Sequence, residues 1–229
     1  DKDGESEEQP VGTVNDDTIL NSLGMKFYQL LKNILQSRSI NMKIALLSGS
    51  IIGSKTQTTM KIIQHKIMAQ SPEDEVTLID LKELSVEFSD GRNYLDYSGD
   101  TLYVTTTLME ADMILIGSPT FQASIPATLK NVFDLLPQSA FEQKIIGIAM
   151  TAGSPKHFLV AEIQLKPIIN YMKGNLVANY VFIEDKDFYQ AEITNDDVLF
   201  RIDKLIEDAI VLTRAYQQVW QAQEDSYDF

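Results

Sequence analysis

The chain has 229 residues, 44% of them hydrophobic, with one Trp and no Cys; this excludes wholesale disorder and leaves room for one large or two small domains. The lack of Cys excludes disulfides, thiolate metal sites and a Cys nucleophile, and fits a cytoplasmic protein. With 33 acidic against 19 basic residues the net charge is −14, which argues against nucleic-acid partners, whose phosphates require clustered Lys and Arg.

Much of that charge sits at the ends. Residues 1–18 carry Asp1, Asp3, Glu5, Glu7, Glu8, Asp16 and Asp17 against Lys2, and the last eight carry Glu224, Asp225 and Asp228. A charged start with Gly and Pro buries too little apolar surface to order itself. Ile19, Leu20, Leu23, Phe27, Leu30, Leu31, Ile34 and Leu35 then fall at helical spacing and predict an amphipathic helix over 18–36. Met42 opens MKIALLSGS, which reads as a domain start. Residues 1–41 are therefore expected to be an extension, or a linker from a preceding module such as a neighbouring redox domain. No stretch has the roughly 18 apolar residues of a membrane span.

From residue 42 onward, strand and helix signals alternate. Apolar runs at 43–48, 75–80, 113–118, 144–151 and 176–183 lack polar alternation, as strands buried on both faces do. Helical patterns fall at about 55–70, 125–136, 157–173 and 195–222, with Pro167 expected to kink the third. The pattern predicts an α/β fold: a doubly wound, five-stranded parallel sheet in the order 2-1-3-4-5, with helices on both faces and a ligand at the strands' carboxyl ends. Residues 85–103 read as a long polar, aromatic-rich connection in which Tyr94 and Tyr97 either stack on a substrate or pack. The last helix spaces Val198, Ile202, Leu205, Ala209, Leu212, Tyr216 and Val219 as a core face or a coiled-coil seam. Residues 42–222 form the predicted domain, and 223–229 an acidic tail.

Three predicted loops leave the same end of this sheet. In the first, 48–58, five of eleven residues bear hydroxyls and a helix follows at once; loop amides and the helix dipole make such a segment an anion site. A loop rich in Ser and Thr, with Lys55 as its one cation, suits a single phosphate monoester held by neutral donors. Gly49–Thr56 is also one residue from a Walker A loop, with Ser54 in place of the second Gly. The second loop runs through Ser118, Pro119, Thr120, Phe121 and Gln122, with Ser124 as a candidate N-cap and Pro126 in the first helical turn. The third contains Thr151, Ala152, Gly153 and Ser154, followed by His157. Two His and no Cys argue against a transition-metal site.

These segments resemble the NAD(P)H-dependent FMN reductase family of flavodoxin-like proteins. Gly49, Ser50, Ser54 and Thr56 echo its phosphate loop. Ser118, Pro119, Phe121, Ser124, Pro126, Leu129, Lys130, Asn131 and Asp134 match its S-P-x-Y-x-x-S-x-P-x-x-L-K-N-x-x-D segment, and Thr151 and Gly153 echo its T-x-G-G loop. The chain departs from the pattern in lacking the usual Arg of the first loop, with Ile52 near that place. It also has Thr120 where many members carry Glu or an amide, and Ala152 in place of a Gly. The resemblance implies a flavodoxin-like fold over about 42–185, FMN as cofactor and NAD(P)H as electron donor. Ser50, Ile52, Ser54, Lys55 and Thr56 would surround the FMN phosphate; Ser118 to Gln122 would line the ring edge, with Phe121 as an apolar wall. Thr151 to Ser154 would face the pyrimidine side. It also implies a homodimer, or a tetramer, and small-molecule substrates. No residue needs to act as acid or base, because the flavin carries the hydride chemistry. Three functions follow as expectations: an FMN-dependent NAD(P)H oxidoreductase passing electrons to a flavin, quinone, azo or similar acceptor; an electron-transfer module of a larger redox polypeptide; and a P-loop-like phosphotransferase.

Overall fold

A computed structural model describes residues 41–227, with side chains through residue 221. The predicted acidic start and the amphipathic helix at 18–36 lie outside the described residues. Four strands occupy the predicted places: β1 (Lys43–Ser48), β2 (Glu75–Asp80), β3 (Met113–Pro119) and β4 (Ile145–Ala152). Their pairing is parallel in the order β2-β1-β3-β4, with Ser48 beside Asp80 and Gly117, and Pro119 beside Thr151. The carboxyl ends of the strands thus finish along one edge, as the predicted fold requires.

The fifth strand differs from expectation. It is two short strands, β5 (Asn175–Leu176) and β6 (Val181–Glu184), both parallel to β4. Leu176 pairs with Ile146, whereas Val181 pairs with Ala149, so two extra residues are looped out between them. The bulge is held from both sides: Lys166 Nζ donates to Ala178 O within it (3.2 Å), and its own Tyr180 Oη donates to Phe158 O (2.6 Å). A short antiparallel hairpin, β7 (Phe188–Tyr189) with β8 (Glu192–Ile193), follows β6.

Alternate residues of the central strands feed two apolar layers. Ala45, Leu47, Ile114, Ile116, Ile146 and Ile148 pack on the layer that holds α2 (Gly99–Glu110) and α3 (Ala127–Leu135). That layer also holds α4 (Lys166–Tyr171). Ile44, Leu46, Met113, Leu115 and Ile145 pack on α1 (Lys55–Gln70) and α5 (Asp196–Tyr227). Such two-sided burial is why these strands read as unbroken apolar runs.

Helix α1 buries Thr56, Thr59, Met60, Ile63 and Ile67 at the spacing of one helix face. Close packing at its start depends on Gly117, where a Cβ would come within 2.5 Å of Met60 Sδ and 3.2 Å of Thr56 Cγ2. Helix α2 was not anticipated and occupies the end of the supposed 85–103 connection. At its close, Lys144 Nζ donates to Met109 O (2.7 Å) and Ala111 O (2.6 Å), satisfying carbonyls at a negative helix end. Burial pushes the Lys144 ammonium below the usual lysine range.

The rest of the connection is ordered by its own polar groups. Tyr97 is buried, its hydroxyl donates to Asp90 (2.8 Å), and the Arg92 guanidinium lies 4.1 Å from its ring centroid. Hydrogen bonds from Arg92 hold the Asp90 carboxyl well below the usual carboxylate range. Tyr97 therefore packs rather than presenting a face for stacking.

Before α4, Ala161–Leu165 forms a π-helical turn. Proline has no amide proton to return to the preceding turn, and the widened ladder sits immediately ahead of Pro167. In α5, Val198, Ile202, Leu205 and Ala209 are core residues, Leu212 and Tyr216 pack at the edge of the same cluster, and Val219 is exposed. The heptad-like spacing is therefore a core face, not a coiled-coil seam, through residue 216. The helix backbone continues to Tyr227, past the predicted end at 222.

Candidate functional site

The strand ends launch three loops that lean on one another through backbone hydrogen bonds. Gly49 N donates to Gly117 O (2.8 Å) and Thr120 N to Thr151 O (2.9 Å). A Cβ on Gly49 would lie 3.0 Å from Gly117 O, so glycine permits the first contact. Between the loops lies an open cleft of about 380 Å³, within the range of small-molecule sites.

Most of the sequence-derived candidates meet there. Ile52, Ser54, Lys55, Thr56, Pro119, Thr120, Phe121, Thr151, Ala152 and Gly153 line the cleft. Ser54 caps α1 in position only: its side chain makes no capping hydrogen bond. The first amide turned back into the helix is Thr58 N, which donates to Ser54 O (2.8 Å). The amides of Lys55, Thr56 and Gln57 precede that bond and so present donors and the positive helix end to the cleft. Thr56 Oγ1 and Thr151 Oγ1 are 2.8 Å apart in a buried pair. One such bond uses one hydroxyl proton, so the pair retains a second to donate. Thr120 Oγ1 is buried and has no hydrogen-bond partner in the protein.

Four candidates are placed elsewhere. The Ser50 hydroxyl donates to Ile52 O (2.6 Å), closing the first loop on itself. The buried Ser118 hydroxyl donates to Pro119 O (2.9 Å). The Ser154 hydroxyl accepts from Lys156 N (3.3 Å) at the start of the Pro155–His157 turn. Gln122 is exposed at the tip of a tight hairpin in which Phe121 and Ser124 exchange backbone hydrogen bonds (2.9 and 3.0 Å). Gln122 and Ala123 both have positive φ (48° and 58°), the sign required by a two-residue type I′ turn. Ser124 is thus a hairpin residue and not the N-cap of α3; extended Pro126 holds the cap position. His65 is exposed on α1, and His157 is half-buried outside the cleft lining.

Two lining residues went unanticipated. Gly53 adopts φ +79° at the turn into α1. Asp185, just after β6, reaches the cleft mouth, where its Oδ1 is 2.7 Å from Lys55 Nζ. The general rule that loops after every strand share this edge was the available signal, since the predicted fifth strand ends at 183, just before Asp185.

The doubly wound sheet and its carboxyl-edge cleft define an α/β protein of the flavodoxin-like class. The chain belongs to the NADPH-dependent FMN reductase family, whose profile matches residues 42–188. It is 34% identical over 165 residues to the NAD(P)H-dependent FAD/FMN reductase of Geobacillus thermodenitrificans, covering 72% of this chain and 89% of that one. Among solved structures it resembles the apo form of the NADH:FMN oxidoreductase EMOB, with a TM-score of 0.63 and 26% identity over 76% of this chain and 89% of the other. The fold also matches an oxidoreductase of Corynebacterium diphtheriae, with a TM-score of 0.60 and 23% identity over 78% and 97% of the two chains.

Proposed function

We propose that the chain is an FMN-dependent NAD(P)H oxidoreductase that passes reducing equivalents to a flavin, quinone, azo or similar acceptor. The observation that carries this reading is the donor set of the cleft: free amides at the start of α1, the uncommitted Ser54 hydroxyl, the remaining proton of the Thr56–Thr151 pair and the unpartnered Thr120 hydroxyl. Neutral donors around a helix start suit a phosphate monoester, and an orphaned hydroxyl beside apolar Pro119 and Phe121 suits the polar edge of a flat ring.

FMN would supply the hydride-accepting chemistry. Ser54, Lys55 and Thr56 bind its phosphate, and Ile52 covers that end. Pro119 and Phe121 orient the ring and exclude water from one side, while Thr120 donates to its edge. Thr151, Ala152 and Gly153 line the cleft on the side of the third loop, where their dipoles would stabilise negative charge on a reduced ring. Ser50 and Ser118 act by holding their loops in shape. The phosphotransferase reading gives way to the family assignment.

Anaerobic titration with NADH and then NADPH is the test. The FMN-loaded chain is expected to lose its yellow colour within the mixing period with at least one of them. A chain that binds FMN but stays oxidised with both would be an electron carrier instead.

The homodimer belongs to the same reading. Phe158, Leu159 and Ile163, exposed by 51%, 57% and 61%, give the segment after β4 an apolar face that a second subunit would cover. Replacing Leu159 and Ile163 by Asp is expected to shift the protein from dimer to monomer in analytical ultracentrifugation, with the far-ultraviolet circular dichroism unchanged. The reading places the enzyme in the cytoplasm. Among the described residues no helix is long and apolar enough to cross a membrane.

A further inference from the structure

Among the described residues that line the cleft, Lys55 is the one cation and Asp185 the one carboxylate, and they are paired with each other. Lys55 Nζ lies 2.7 Å from Asp185 Oδ1 and 5.7 Å from the centroid of the Phe188 ring. The other carboxylate oxygen faces the third loop, 3.7 Å from where a Cβ on Gly153 would stand. Asp185 thus sits between the first loop and the third. Behind the first loop a lysine and an aspartate are each held by neutral groups. Lys82 Nζ donates to Gly53 O (3.3 Å), while Asp80 accepts from Gln57 and from the amide of Lys82. A phosphate arriving at the start of α1 meets a lysine whose charge is already answered by a carboxylate in the same cleft.

We propose that Asp185 sets the strength and selectivity of flavin binding by competing with the FMN phosphate for Lys55. This rests on the assignment of the cleft as the FMN site. A dianionic phosphate must share the ammonium with Asp185 or displace it, and in both arrangements a like charge stays close by. The hold on FMN is thereby loosened, whereas riboflavin, which has no phosphate, is unaffected. A loosely held flavin exchanges with solution, so Asp185 makes FMN a turnover substrate as much as a resident cofactor. Both side chains are partly exposed (39% and 55%), which keeps the effect moderate and sensitive to salt.

The test is FMN and riboflavin binding to the full chain, followed by quenching of flavin fluorescence at low and high salt. Asp185→Asn keeps the side-chain shape and removes the charge. It is expected to bind FMN about tenfold tighter at low salt, with slower release, and the gain should shrink at high salt. Riboflavin affinity should not move. Asp185→Ser should behave like Asp185→Asn. Lys55→Met should cost more FMN affinity in the Asp185→Asn background than in the natural chain, because the competitor is gone. Unchanged or weaker FMN binding by both Asp185 variants would overturn the proposal, as would equal tightening for riboflavin. A natural chain that binds no FMN would overturn the cleft assignment itself.

Discussion

The Ser54→Ala, Thr56→Ala double variant is expected to bind FMN about 10²- to 10⁴-fold more weakly than the natural chain. A hydrogen bond to a charged group is worth about 1.5–3 kcal/mol, and two are removed. The Ser54 hydroxyl is spent on no capping bond, so its loss should cost the fold little and fall mainly on the ligand. The Thr56 hydroxyl is shared with Thr151, so its removal also strands a buried hydroxyl, and part of its cost will appear as stability. Fluorescence titration with FMN measures the loss, and riboflavin is the control because it lacks the phosphate. Undiminished FMN affinity would place the phosphate somewhere other than the start of α1.

Phe141→Ala is expected to destabilise the protein by about 3–5 kcal/mol, the usual range for emptying an aromatic site in a core. For a domain of this size that corresponds to a fall in melting temperature of roughly 6–20 °C. Phe141 is fully buried, and its ring meets Phe133 edge to face at 6.0 Å. Its backbone is tied as well, the amide donating to Met172 O (3.1 Å) and the carbonyl accepting from Lys144 N (3.1 Å). Those bonds resist the collapse that would otherwise fill the cavity. A melt followed by circular dichroism decides the matter, and a drop below about 1 kcal/mol would show that the site closes over the gap.

The sheet was legible because strands buried on both faces announce themselves as short apolar runs: KIALLS occupies β1 residue for residue. EVTLID marks β2 just as closely, although that edge strand is only half-buried over most of its length. Helix α2 was hidden by its own composition. Thr105, Thr106 and Thr107 are β-branched and weak helix formers, and a run of three looks like strand or loop. In the fold each hydroxyl bonds back into the preceding turn, to Thr101 O, Leu102 O and Tyr103 O respectively. Tertiary packing of Val104 and Leu108 then outweighs the local preference.

At the cleft, sequence located the loops but not the direction of each side chain. Ser50, Ser54 and Ser118 look equivalent as letters, yet Ser50 and Ser118 hydrogen-bond their own loops while Ser54 does not. Orientation of that kind is decided by backbone angles within a turn, which composition does not encode. Asp185 was missed for a different reason. Its place depends on the pairing offset between β4 and the last two strands, a long-range quantity.

That offset bears on how the rim could change without disturbing the interior. Two is an even number in a structure whose side chains alternate sides, so the residues after the bulge still point the way they would without it. Removing two residues from 177–180 would leave Val181 opposite Ala149 and Asp185 at the cleft mouth, because the surplus is looped out of the ladder. Removing one would leave a one-residue bulge at the same place. Length variation in 177–180 is therefore absorbed beside the ladder, and the acidic group at the opening keeps its station while the loop next to it grows or shrinks.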